Sequence, residues 1–303
     1  GINAFPLLLA NIGIVLFLLK GNVNPTPINF ILIALFIYCG YFMFTGNSAR
    51  LVLGDLTFSA GRSTNHISVI LIFITCVYYI VNRINGKTIN LVSALFTFII
   101  SSWAIGRSGI IASSALLFGT FFFTKRTKLD YILIGTASIF FVLFFWFSYS
   151  IDLPFVLSYD KFYENELLMD IRFDLNRSYL AEIDLKSFFL GMDWEIMNTN
   201  KLFFQIKNLH NSYTGAHFRL GIFSIVIFSL ALYALIKFFF HRELYFVLLL
   251  VILLRAFSDT ILLPAYPFDF VFYYLLTVGF SSDGKYKQYR SISNHQLINP
   301  GVQ

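Results

Sequence analysis

Charged residues and cysteines are scarce in this chain of 303 residues. Asp, Glu, Lys and Arg make up 13% of it, whereas hydrophobic residues make up 57%. The two cysteines, Cys39 and Cys76, lie inside apolar runs, so they indicate neither a disulfide framework nor a metal cluster. The chain also contains no Walker loop, no HExxH, no GxSxG and no dinucleotide fingerprint. We therefore expect no nucleotide-driven reaction and no cofactor.

Long apolar runs dominate the sequence, and the mean hydropathy is +0.73. A hydrocarbon core of about 30 Å needs roughly 20 apolar residues in a helix, and helices satisfy their own backbone hydrogen bonds there. The sequence therefore predicts an all-α, polytopic bundle of transmembrane helices. About nine spans are predicted, near 3–19, 27–44, 66–82, 89–105, 109–123, 130–149, 218–237, 243–257 and 265–280.

Basic residues in the short loops predict the orientation of these spans. One of the two alternating sets of loops holds Lys20, Arg83 and Lys125 with few acidic residues, so this face should be cytoplasmic. The net charge of +6 then reflects the cytoplasmic rim and does not indicate binding to nucleic acid. We expect no nucleic-acid partner.

Three parts follow from this topology: six spans over 1–149, an external loop domain with short helices over 150–217, and three spans with a cytoplasmic tail over 218–303. Loops of this length are uncommon without a role. The stretch NRSYLAEIDLKSFFLG in the loop domain predicts helix, and Gly191 is predicted to cap its end. Because no basic segment precedes the first apolar run, we expect further spans before Gly1.

Three arginines, Arg62, Arg107 and Arg219, lie beside apolar runs on the predicted external side. Arg107 stands in a short turn between two spans, among small polar residues that allow close helix approach. A guanidinium at that depth either snorkels to the headgroups or binds an anion. Its planar fork matches two diphosphate oxygens, and both interpretations stay open for all three arginines.

His210 is the candidate for proton transfer, because the ordinary pKa of imidazole is about 6.5 and the residue lies just before a predicted span. Asn211 would fix the tautomer of that imidazole or orient a sugar hydroxyl. His217 lies seven residues on, and shares a helical face with His210 if the helix starts early. The alternative is a structural role for His210. Ser108 and Ser212 leave nucleophilic hydrolysis as a minor alternative, without a visible triad order.

Four strings resemble the bacterial O-antigen polymerase and ligase superfamily. HNSYTGAHFRLGIFSIV (210–226) resembles its His-Asn-Ser-Tyr signature, which closes a large periplasmic loop and opens the next span. IGRSGIIASSALLFG (105–119) is similar to the Arg-containing entrance of an earlier span, and RSTNHISVILIF (62–73) to an Asn-containing stretch. IRFDLNRSYLAEIDLKSFFLGMDWEI resembles a segment of the loop, in which Arg172 is the matching arginine.

The resemblance implies a GT-C-like membrane glycosyltransferase of the bacterial inner membrane. It would transfer a glycan from undecaprenyl diphosphate to an acceptor sugar hydroxyl at the outer face, without nucleotide or metal. Arg107 would stabilise the developing charge and His210 would accept the proton of the hydroxyl. The further substrate-binding candidates are Arg62, Arg172, Asn211 and Arg219. The implied partners are the lipid-linked oligosaccharide, membrane lipids, and chain-length regulator and flippase proteins.

Within this superfamily we expect a polymerase of O-antigen or capsule repeat units, because nothing in the chain reports a lipid A core acceptor. A ligase that transfers the glycan to lipid A core is the alternative. A flippase or transporter of lipid-linked oligosaccharide is the alternative from another class, since it would also place cations within a bundle. A membrane scaffold without activity would tolerate replacement of all these polar residues.

Overall fold

A computed structural model describes residues 4–21, 23–45, 65–104, 107–123, 166–192, 211–241, 243–263 and 266–281. Every regular element within these ranges is an α-helix and none is a strand, which confirms the all-α prediction for the described residues. The helices are α1 (Ala4–Leu19), α2 (Thr26–Phe44), α3 (Asn65–Ile84), α4 (Val92–Trp103), α5 (Arg107–Phe123), α6 (Glu166–Ala181), α7 (Leu185–Leu190), α8 (Ser212–Leu220), α9 (Ile222–Phe240), α10 (Leu244–Ser258) and α11 (Asp269–Phe280).

Three of these helices, α2, α3 and α9, are long and apolar enough to cross a membrane, and α1, α4, α5, α10 and α11 are shorter apolar helices. A helix covers most of each predicted span except 130–149, which lies outside the described residues. The predicted start of the span 218–237 is wrong. Helix α8 ends at Leu220, Gly221 adopts φ +55, and α9 begins at Ile222, because a glycine with positive φ interrupts the helix. The number of nine spans stays a prediction.

Helix α10 lies at the centre of the bundle, in contact with α3, α5, α8, α9 and α11. Leu248, Val251 and Ile252 in its middle are fully buried. The outer helices instead expose large apolar side chains, among them Phe30 on α2 and Phe223 on α9. Such broad exposed apolar surfaces mark contact with a membrane or a partner, and a bilayer solvates them.

Close packing holds α5 between two neighbours. A Cβ atom on Gly109 would collide with the Ser68 side chain of α3, and a Cβ on Gly119 would collide with Val247 of α10. Small residues of this kind let helix backbones approach closely within a membrane. The position of α5 is therefore determined near its start by α3 and further along by α10.

Polar contacts join helix ends in two groups at opposite ends of the bundle. At the first, called here the Lys237 end, Lys237 Nζ donates to the carbonyl of Gly279 at 2.9 Å. Asn85 Nδ2 donates to the carbonyl of Val23 at 2.8 Å at this same end. The opposite end, called here the Arg255 end, contains the starts of α5 and α8 and the end of α10.

The described part of the predicted loop domain contains α6, α7 and the start of α8, and both α6 and α7 pack on α8. Asp184 begins α7 with a reciprocal capping box with Ser187, and Gly191 ends it at φ +85, which confirms the predicted cap. A Cβ on Gly191 would lie 2.6 Å from the Phe218 carbonyl, and a Cβ on Gly221 would collide with the backbone of α7. The end of α7 is therefore in direct backbone contact with the junction of α8 and α9.

Candidate functional site

A fully buried arginine lies near the end of α10. The exposed fraction of Arg255 is 0%, although arginine is almost never fully buried unless it is paired. Its Nη1 donates to Ser108 Oγ at 2.9 Å and to Ser258 Oγ at 2.9 Å. Its Nη2 lies 3.4 Å from Asp259 Oδ2. An uncompensated buried charge costs roughly several kcal/mol, so these partners explain how the guanidinium is accommodated.

Ser212, at the start of α8, connects that helix to the chain that follows α10. Its hydroxyl donates to the carbonyl of Asp259 at 2.7 Å. It accepts from the backbone N–H of Ile261 at 2.9 Å and of Leu262 at 3.1 Å. A hydroxyl has one proton to donate and two lone pairs, so its hydrogen-bonding capacity is used completely. The residue is therefore a structural link, and these contacts give no support to the nucleophile alternative for Ser212.

Arg255 and Ser212 together connect two motifs that are far apart in the sequence. Ser108 belongs to IGRSG at the start of α5, Ser212 belongs to HNSY at the start of α8, and Arg255 with Asp259 lies between them. Arg107 is the first residue of α5. Adjacent Cα atoms are about 3.8 Å apart, so the backbone of Arg107 lies at this end of the bundle. The side chain of Arg107 and all of His210 lie outside the described residues.

The segment after Asp259 is held in a strained conformation close to this cluster. Leu263 adopts φ +50, a left-handed conformation that is uncommon for a residue with a branched side chain. The buried carboxylate of Asp269 accepts from the N–H of Leu263 at 3.0 Å and from that of Tyr266 at 2.9 Å. Backbone strain of this kind persists when the surroundings determine it, and it concentrates at functional sites.

Asn211 is the N-cap of α8. Its Oδ1 accepts from the backbone N–H of Tyr213 at 2.8 Å, an interaction worth about 1 kcal/mol of helix stability. One lone pair of this oxygen is therefore used by the helix, and the predicted contact with His210 lies outside the described residues. The role of Asn211 toward a sugar hydroxyl stays a prediction.

His217 points toward α6. Because α8 starts only at Ser212, His210 precedes the helix, so the predicted shared face of the two histidines is wrong. The Nδ1 of the buried His217 lies 2.6 Å from Tyr179 Oη on α6, and burial lowers the pKa of His217. Thr214 Oγ1 donates to Asn176 Oδ1 at 2.7 Å one turn earlier. These two contacts attach α6 to α8.

The other predicted arginines do not join the Arg255 cluster among the described residues. Arg219 is exposed and lies over the ring of Tyr266, with 5.5 Å between its guanidinium carbon and the ring centroid. It is eight residues from Asn211, about 12 Å along α8, and thus at the other end of that helix. Arg172 is part of α6, but its side chain lies outside the described residues, as does all of Arg62.

Arg255 and Asp259 are site residues that the sequence interpretation missed. The predicted span 243–257 contained Arg255 without any special role. The signal that identifies it is an arginine inside the run LYFVLLLVILLRAFS, since an ionisable residue within a membrane helix is a functional candidate by default. The acid four residues later is its partner.

No protein-family model, no curated protein and no solved structure matches the chain. Among the residues that the structure describes, no group of three or more His, Cys, Asp or Glu could hold a metal ion. Function is therefore inferred from the residues of the Arg255 end.

Proposed function

We propose that the protein is a multi-pass glycosyltransferase of the bacterial inner membrane that polymerises lipid-linked repeat units of O-antigen or capsule. The donor would be an undecaprenyl diphosphate-linked glycan, and the acceptor a sugar hydroxyl at the outer face. The observation that carries the proposal is the meeting of the IGRSG and HNSY motifs at one end of the bundle, through Arg255 and Asp259. The two motifs contribute the predicted cation, Arg107, and the predicted base, His210.

The reaction breaks the bond between the anomeric carbon and the diphosphate oxygen. The acceptor hydroxyl attacks that carbon, its proton passes to His210, and undecaprenyl diphosphate leaves with the electron pair. Negative charge grows on the leaving diphosphate, so cations placed there stabilise the transition state more than the ground state. Arg107 would supply one cation at the start of α5, where the first backbone N–H groups of the helix also attract anions.

The distribution of basic residues supports an external position for this site. Arg83, Lys237 and Asn85 meet other helix ends at the Lys237 end, and the basic residues of this group belong to the loops predicted to be cytoplasmic. The positive-inside rule then assigns the Lys237 end to the cytoplasm and the Arg255 end to the outside. All nine spans are part of this proposed topology.

The location of the buried arginine favours a transferase over a flippase. A transporter binds its cargo near the bilayer midplane, between repeats that rock against each other. Arg255 instead lies three residues before the end of α10, next to the connection from Asp259 to Leu263. Its described hydrogen bonds go to serines and an aspartate from neighbouring segments. This arrangement stabilises a fixed site at one end of the bundle.

The test is a glycan gel from a strain that lacks the gene, complemented with the wild-type chain, His210→Ala, Arg107→Ala or the control His241→Ala. His241 is an exposed histidine at the Lys237 end. We expect His210→Ala and Arg107→Ala to remove all polymer beyond one repeat at normal membrane levels, whereas His241→Ala preserves the ladder.

Three other outcomes would replace the proposal. Polymer retained on its lipid carrier would identify a ligase, and repeat units trapped inside the cell would identify a flippase. Normal ladders from both variants would show that neither residue participates.

A further inference from the structure

We propose that Arg255 is a positioning residue, whose buried guanidinium holds the start of α5 at a set distance and orientation from the start of α8. Asp259 is its partner in this role. The inference rests on the proposed function for its catalytic meaning, because α5 begins with Arg107 and α8 follows His210. The connection between the two helices stands on the hydrogen bonds alone.

The first step is geometric. Arg255 Nη1 donates both to Ser108 on α5 and to Ser258 in the last turn of α10, each at 2.9 Å, while Nη2 faces the Asp259 carboxylate. The planar guanidinium directs these hydrogen bonds apart at set angles. A lysine at this position would present one compact ammonium group, which cannot reproduce that arrangement.

The second step is the continuation from Asp259 to α8. The carboxylate of Asp259 contacts Arg255. It also accepts a hydrogen bond from the backbone N–H of Thr260 at 3.0 Å. The carbonyl of the same residue accepts from Ser212. One residue thus receives the guanidinium on its side chain and the HNSY motif on its backbone. A shift of Arg255 would therefore be transmitted to both motifs.

The third step separates positioning from stability. Replacing a buried ion pair by apolar groups of similar volume is often neutral or stabilising. A double replacement, Arg255→Met with Asp259→Asn, removes the charge without leaving an unpaired carboxylate. If the pair served stability alone, this variant would fold and retain the wild-type transfer activity. A positioning pair predicts a folded chain with misplaced motifs.

Hydrogen exchange of the full chain in lipid nanodiscs tests the connection without reference to any activity. We expect Arg255→Lys and the double variant to accelerate exchange at the Ile261 and Leu262 amides, which donate to Ser212, and in the first turns of α5. An increase of about tenfold or more corresponds to local opening. The Ala94 amide, which donates to Tyr79 Oη at 3.0 Å between α3 and α4, is the internal control. Unchanged exchange at both motif segments would overturn the inference.

Transfer kinetics with purified lipid-linked repeat units test the catalytic meaning. Misplaced groups lose orientation more than binding, so kcat per folded molecule should fall about 100-fold while KM stays near its wild-type value. Lys237→Met is the matched control, because it removes a half-buried basic contact at the other end of the bundle and should leave kcat unchanged.

The two measurements separate the possible failures. A normal kcat in variants with faster exchange would show that the connection exists without a catalytic role, and would overturn the assignment as a positioning residue. If the wild-type chain itself transfers no glycan, the proposed function fails, and the exchange experiment still decides whether Arg255 couples the two helices.

Discussion

The Lys237 end and the Arg255 end of the bundle both use basic side chains, but in different ways. At the Lys237 end, Lys237 Nζ donates to the carbonyls of Gly279 and Ser281 at the end of α11. The side chain of Arg83 is 44% exposed, and its Nη2 lies 3.6 Å from Glu243 Oε2. Each of these contacts joins one basic side chain to the end of one neighbouring helix. At the Arg255 end one guanidinium with no exposed surface joins side chains from α5, α10 and the following segment.

The difference shows what each end is suited for. Exposed ion pairs contribute about 0–1 kcal/mol and tolerate replacement. A buried hydrogen-bond network holds one arrangement, because each removal leaves buried polar groups without partners. The contacts at the Lys237 end therefore join neighbouring helix ends, while the Arg255 end holds two sequence motifs in place.

The largest expected effect comes from a matched pair of serines. Ser212→Ala removes three hydrogen bonds to backbone groups of Asp259, Ile261 and Leu262, and each buried group left without a partner costs about 1–3 kcal/mol. Ser281→Ala at the Lys237 end removes a bond to the Val278 carbonyl. Thermal unfolding in nanodiscs should show a loss of about 3 kcal/mol or more for Ser212→Ala and under about 1 kcal/mol for Ser281→Ala. Equal losses would remove the distinction between the ends.

The second prediction uses two glycines of α5. An added methyl group at Gly109 meets Ser68 near the Arg255 end, and one at Gly119 meets Val247 nearer the Lys237 end. Overpacking of either site should lower stability by about 1–3 kcal/mol. Gly109→Ala should also shift the start of α5 and shorten the glycan product, whereas Gly119→Ala should leave the product length normal. Loss of polymer in both variants would mean that the whole of α5 responds as one unit.

The third prediction concerns pH and the attachment of α6 to α8. Burial lowers the pKa of His217 in the folded state, so the unfolded chain binds more protons between that lowered value and about 6.5, the ordinary pKa. Stability from this contact is present above about pH 6.5 and is lost as the pH falls below it. After correction for the slower intrinsic exchange at lower pH, the protection of the α6 amides near Tyr179 should fall from pH 7.5 to 5.5. His217→Gln should abolish the change with pH; if the change persists, other groups are responsible.

The smallest expected effect is at the ion pair between Arg83, whose side chain is 44% exposed, and Glu243, whose side chain is 14% exposed. A double-mutant cycle of Arg83→Ala and Glu243→Ala should give a coupling energy within about 1 kcal/mol, because the separation is 3.6 Å and solvent screens the exposed guanidinium. Added salt should reduce it further. A coupling energy as large as the loss of unfolding free energy in Ser212→Ala would show that contacts at the two ends of the bundle contribute equally to stability.

Local signals in the sequence were enough to find most helices and one cap. The apolar runs predicted α1 to α5 and α9 to α11 because a run of that length and composition has few other ways to satisfy its backbone. Gly191 was predicted as a cap because a glycine after the last apolar turn adopts positive φ readily. Gly221 was missed since it lies inside a run that reads as continuous, and its close contact with α7 becomes visible only after folding.

The sequence predicted the two motifs of the candidate site, but it did not predict that Arg255 and Asp259 lie between them. Arg107 and Asn211 were selected by residue type and position, but the use of Asn211 as an N-cap depends on where α8 begins. His217 was grouped with His210 by sequence spacing, while folding directs it to Tyr179, 38 positions away.

The amino-acid sequence by itself determined that this chain is helical and apolar, because hydrophobic length and helix propensity act over neighbouring residues. Only the tertiary structure decided that Arg255 and Ser108, 147 positions apart, share a hydrogen bond inside the bundle. A buried charge is stable only where several distant groups converge on it, and such convergence depends on how the helices pack, which no local pattern encodes.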